Sequence, residues 1–158
     1  MHIIHDYWAR ETLIAAEVLK GLVAGLISTV IMSLLEYPIW RRWGLEMVTE
    51  WHLNQAIAGR LLRRSPSTVI VHGLLFHILH GGLAGIVFVI VLSLAPKAPI
   101  TDAAVGFGLV LWVVSLFILK PVTGVGLRGH RFGLSPFVVS LAGHILYGVS
   151  LGLLVNIL

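Results

Sequence analysis

The chain has 158 residues, 58% of them hydrophobic and 11% charged, with a formal net charge of +4 and no cysteine. A soluble domain would carry about 25% charged residues, so this composition excludes an ordinary water-soluble fold. The missing thiols exclude disulfides, iron–sulfur clusters and thiolate catalysis. The basic residues stand between apolar stretches rather than forming one basic surface. That points to anionic lipid headgroups, and not nucleic acid, as the electrostatic partner.

Residues 1–10 include Asp6 and several aromatic or histidine side chains. They lack the basic n-region and small-residue cleavage site of a signal peptide, so the first apolar segment is expected to be retained. Four segments then read as membrane spans: residues 19–40, 69–95, 103–122 and 136–158. Each offers about 20 residues or more, enough at ~1.5 Å per residue to cross the hydrocarbon.

After the first span comes a long connection, residues 41–68. Within residues 45–62, Leu53, Ile57 and Leu61 fall at helical spacing beside Arg60, Arg63 and Arg64. This predicts a short amphipathic helix lying on the interface, with Trp40, Trp43 and Trp51 at headgroup level. Ser65-Pro66 reads as N-cap and first helical position of the second span, and Ser135-Pro136 as the same for the fourth. Lys97-Ala98-Pro99 breaks the chain between the second and third spans. Arg41, Arg42, Arg60, Arg63 and Arg64 lie in the first connection, and Arg128 and Arg131 lie in the third, with Lys120 at its edge. The opposite side has Arg10, Lys20 and Lys97. The bias places loops one and three in the cytoplasm and both termini outside, in the cell's inner (cytoplasmic) membrane.

Two spans share one phrase. His77-Ile78-Leu79-His80-Gly81 leads to Gly85, and His144-Ile145-Leu146-Tyr147-Gly148 leads to Gly152. Gly25, Pro38 and Gly44-Leu45 match Gly108, Pro121 and Gly126-Leu127 more loosely. The chain is therefore expected to be all-α. One domain over residues 1–158 holds four transmembrane helices as two parallel two-helix repeats, about 19–95 and 101–158, plus the interfacial helix. Gly73, His77, Gly81 and Gly85 share one helical face, as do Ser140, His144, Gly148 and Gly152. Small residues at this spacing let helix backbones approach closely, which makes both stripes helix-packing seams.

Imidazoles inside a membrane are costly and face protein or a cavity. Three roles for His77 and His144 compete. They could ligate the iron of a b-type haem from opposite sides, with the glycines making room for the porphyrin. They could bind a chlorophyll-type magnesium. Or they could hydrogen-bond each other or a carbonyl and fix the repeat seam. His80 and Tyr147 are the corresponding aromatic pair, placed for hydrogen bonds to a cofactor or for polar gaps between helices. His72 reads as interfacial, and His2, His5, His52 and His130 as solvated, without zinc-site spacing. Glu36 and Lys120 each sit just before a proline. They could pair across the bundle or snorkel to the interface, or Glu36 could pair with Arg41 or Arg42. The serines Ser28, Ser33, Ser115 and Ser150 are expected to bond preceding carbonyls. No nucleophile–base pair, P-loop, dinucleotide fingerprint or HExxH is present, so no enzymatic activity is expected.

Gly21-Leu22-Val23-Ala24-Gly25 with Thr29 and Met32, Phe76-His77 with Gly81 and Gly85, and His144-Ile145-Leu146-Tyr147-Gly148 with Gly152 resemble a known group. It is a family of small four-helix membrane proteins of bacteria and archaea whose function is unknown. The resemblance implies an integral membrane protein and brings no site residues. Residues 51–64 find no counterpart in it. The expected role is an accessory or structural subunit of a larger respiratory or other energy-converting membrane complex, partnered by lipid and other subunits. The alternatives are a bis-histidine haem b electron carrier and a small transporter or channel. The last lacks a visible midplane site or broken helix.

Overall fold

The computed structural model describes the backbone of residues 2–95, 97–124 and 132–158, and side chains from Thr12 onward within those ranges. The readings of Gly126, Leu127, Arg128, His130 and Arg131, and of the His2, His5 and Arg10 side chains, fall outside the described residues. Five helices carry the fold: α1 (His2–Trp43), α2 (Thr49–Leu62), α3 (Ile70–Ser93), α4 (Ile100–Thr123) and α5 (Ser135–Ile157). Thr12–Trp43 of α1 and the whole of α3, α4 and α5 are long and apolar enough to cross a membrane. Their outward faces carry Leu34, Leu75, Val87, Val110 and Leu153, all exposed, as lipid contact requires.

The spans pack in two tight pairs, α1 with α3 and α4 with α5. A further seam joins α1 to α5, whereas α3 and α4 touch little. Glycine sets the pair distances. A Cβ on Gly85 would come within 3 Å of the Gly21 carbonyl and the Gly25 Cα, and one on Gly148 within 3 Å of the Ala104 carbonyl and the Val105 Cα. Small residues therefore carry the close approach in both pairs.

Two elements depart from the expected pattern. The ladder of α4 is interrupted at Ser115–Leu119 by a π-helical turn, in which the Lys120 N–H bonds the Ser115 carbonyl five residues back. Pro121 supplies the cause, since it has no N–H and its ring displaces the preceding turn. The second departure corrects the interfacial helix. α2 is inserted into one end of the bundle and buries Glu50, Trp51, Leu53, Asn54, Gln55, Ala56, Ala58 and Gly59. Trp51 is thus buried, while Trp43 stays exposed. Asn54 meets His77, seven residues into α3, a depth of roughly 10 Å at the helical rise. The reason is that both kinds of residue on α2 find partners inside. Its small apolar residues allow close approach, and its polar residues bond neighbours. Gln55 donates to the Pro66 carbonyl, and Arg60 donates to the carbonyls of Val122 and Thr123 at the end of α4.

Candidate functional site

Glu50 stands in the first turn of α2, where the helix dipole favours an anion. It is 4% exposed. One carboxylate oxygen accepts from the hydroxyls of Ser140 on α5 (2.7 Å) and Ser115 on α4 (3.2 Å), and the other accepts from Thr49 (2.8 Å). Burial alone would raise its pKa. His144, Lys120 and the Ser140 and Thr49 hydroxyls outweigh that and hold the carboxyl below its ordinary value. Glu50 lies in a connection among other polar residues, and no spacing in the sequence marks it, since Ser115 and Ser140 stand 65 and 90 positions away.

His77 and His144, each 7% exposed, line one cavity beside Glu50. Their tautomers differ. The Asn54 amide donates to the Glu50 backbone carbonyl at 2.8 Å, which fixes its orientation, and its other hydrogen reaches Nδ1 of His77 at 3.3 Å. Nδ1 of His77 is therefore the acceptor, and the proton of the neutral ring sits on Nε2. His144 is the reverse. Its Nδ1 donates to the Ser140 carbonyl at 2.8 Å, so in the neutral ring Nε2 is bare. Among the described residues, buried Nε2 of His77 and Oδ1 of Asn54 have no hydrogen-bond partner.

This arrangement does not fit the bis-histidine haem. An axial imidazole presents a bare Nε2 and donates from Nδ1. His144 is so held, whereas Asn54 holds His77 in the opposite tautomer. Tyr147 and His80 are not alike either. The Tyr147 hydroxyl donates to the Gly81 carbonyl at 2.7 Å and ties α5 to α3. His80 is exposed at the edge of the cavity.

Glu36 and Lys120 do not pair. Both are buried, at 0% and 1% exposure, and the Glu36 carboxylate oxygens and the Lys120 Nζ have no hydrogen-bond partner among the described residues. The ion pair found among the described residues is Lys20–Glu17. α2 has come between the expected partners. Glu36 lies near Glu50 and Trp51, while Lys120 feels the Glu50 charge and stands 5.8 Å from the Phe137 ring.

The small-residue stripes divide their work. Gly73 packs on Gln55 of α2, Gly81 on Thr29 and Gly85 on α1; Gly148 and Gly152 pack on α4. Ser140 serves Glu50. Of the span serines, Ser150 bonds the Leu146 carbonyl as expected, Ser115 bonds Glu50 instead, and the Ser28 and Ser33 hydroxyls have no partner among the described residues. His52, expected in solvent, is half-buried, and that burial, opposed by Glu46, lowers its pKa. No metal-binding cluster of three or more ligands occurs among the described residues.

The cavity measures about 250 Å³. Met32, Leu53, Ala84, Leu111, Val114 and Leu119 form apolar walls, and Glu50, Asn54, His77 and His144 form a polar corner. The π-helical turn of α4 borders it through Ser115 and Leu119. Beyond it Ala24, Phe88, Val89, Ala104, Leu151 and Val155 close the bundle, with the Phe88 and Phe107 rings 5.5 Å apart. Its other limit is the gap between α3 and α4, where His80 is exposed. The cavity thus has the apolar core on one side and the sparsely touching α3 and α4 on another.

A family model described as a family of unknown function (DUF6789) matches residues 15–158. No curated protein and no solved structure matches the chain.

Proposed function

We propose, for a chain that belongs to this family of unknown function, a role as a small membrane transporter that takes a lipid-soluble solute into the α2-capped cavity. One observation carries the reading. A space inside the spans has apolar walls and a polar corner, and two atoms of that corner's residues, Nε2 of His77 and Oδ1 of Asn54, have no hydrogen-bond partner among the described residues. Such atoms are costly in a membrane, and ligand sites combine apolar walls with a few polar groups in this way. An interior cavity at Glu50–His77–His144 and a π-helical irregularity at Ser115–Leu119 of the otherwise continuous α4 support the reading. The apolar seal beyond Phe88 favours a carrier over an open channel. With five arginines near the α2 end, the α2-capped end of the cavity lies toward the cytoplasm in this reading.

A second reading, the accessory subunit of an energy-converting complex, draws on the sparse α3–α4 contact, which a partner helix would fill. One preparation tests both. The protein is purified in mild detergent, and its bound molecules are extracted and compared with those of Leu111→Trp, which fills the cavity. A transporter is expected to retain a lipid-soluble molecule that the variant loses. Identical extracts from the two proteins would defeat that reading, and larger subunits retained by the native protein alone would favour the second.

A further inference from the structure

We infer that the cavity takes the hydroxyl head of a membrane-dissolved amphipath, an aliphatic or aromatic alcohol whose apolar body extends through the α3–α4 gap. The inference rests on the binding reading above and adds the chemistry of the head group. His77 offers a donor at Nε2, and Asn54 offers an unpaired acceptor at Oδ1, with the two residues 7% and 3% exposed. His144 adds a second acceptor at Nε2, because its Nδ1 is committed to the Ser140 carbonyl. A hydroxyl oxygen accepts one hydrogen bond and donates another from a single atom, so it suits a donor and an acceptor carried by two residues that line one cavity.

Charged heads fit less well. The Glu50 oxygens are already engaged by three hydroxyls, and the charge has Lys120 nearby, so little is left to neutralise an ammonium group. A carboxylate would enter against the buried Glu50 charge and lose its hydration. The walls select the body. The side chains of Met32, Ala84, Leu111, Val114 and Leu119 offer it no hydrogen bond, and the sparse contact between α3 and α4 leaves room for it there.

The test compares 1-octanol, octane, octylamine and octanoate, titrated calorimetrically at pH 8 into the full chain in lipid nanodiscs and corrected against empty discs. Octanol is expected to bind saturably and at least about tenfold more tightly than octane, the worth of roughly one well-made buried hydrogen bond. The wild-type comparison needs no variant. In Asn54→Leu the octanol advantage over octane is expected to shrink while octane affinity holds. Equal binding of octanol and octane would overturn the hydroxyl inference and leave the binding reading standing, as would a preference for octylamine or octanoate. Binding of none of the four would overturn both.

Discussion

A buried carboxylate survives where other groups replace its lost hydration, and Glu50 has hydroxyl donors from Thr49, Ser115 and Ser140, the last two from separate spans. Glu50→Ala would leave those hydroxyls unpaired and Lys120 buried without its nearby countercharge. Removing one partner of such a set costs about 3 kcal/mol or more. Thermal unfolding in detergent is expected to show a much lower midpoint for Glu50→Ala than for Glu50→Gln, which keeps the shape; equal midpoints would count against the network. The pH dependence has a definite sign. The folded protein holds this carboxyl below its ordinary value, so folding binds fewer protons. The stabilisation is complete above the ordinary carboxylate value of about 4.3 and fades as pH falls through the lower folded value. Acid should therefore cost the wild type stability that Glu50→Gln does not lose over that interval. None of this was legible in the sequence. His77 and His144 stood out because they interrupt apolar helices, whereas Glu50 sat among other polar residues and its partners lie 65 and 90 positions away.

The four spans were readable because lipid imposes length and hydropathy on each helix separately. The depth of α2 was not, because a short helix with Arg60, Arg63 and Arg64 at one end suits an interface equally well. Only the facing surfaces, Gly73 against Gln55 and Asn54 against His77, decide where it lies. The break in α4 had a legible cause in Pro121, but its form as a π-helical turn did not follow from a proline alone. Small-residue spacing announced seams without naming partners, and α3 uses one stripe for α2 and α1 together. The α1–α3 seam gives a direct check. Gly85→Ala would drive a methyl into the backbone of Gly21 and Gly25, whereas a Cβ at Gly106 meets nothing within 4 Å. Gly85→Ala is expected to destabilise by about 1–3 kcal/mol, while Gly106→Ala leaves stability unchanged or raises it. Equal melting temperatures for the two variants would show that the helices do not approach as described.

At the scale of the whole molecule, the repeated His-Ile-Leu phrases sit on α3 and α5, and both histidines reach one cavity. Their surroundings are not equivalent. α1 packs on α5, α3 and α4 touch little, and α2 reaches only one end. That asymmetry gives the two rings opposite hydrogen-bonding roles, which sequence identity between the phrases concealed. The most direct measurement is imidazole nitrogen-15 NMR of the histidine-labelled protein in lipid at pH 8, above the ordinary histidine value of about 6.5, with His77→Gln and His144→Gln to assign the signals. The expected result is a neutral ring protonated at Nε2 for His77 and one protonated at Nδ1 for His144. Two rings protonated at Nδ1, as paired iron ligands would be, or two rapidly averaging solvent-like rings, would contradict the site.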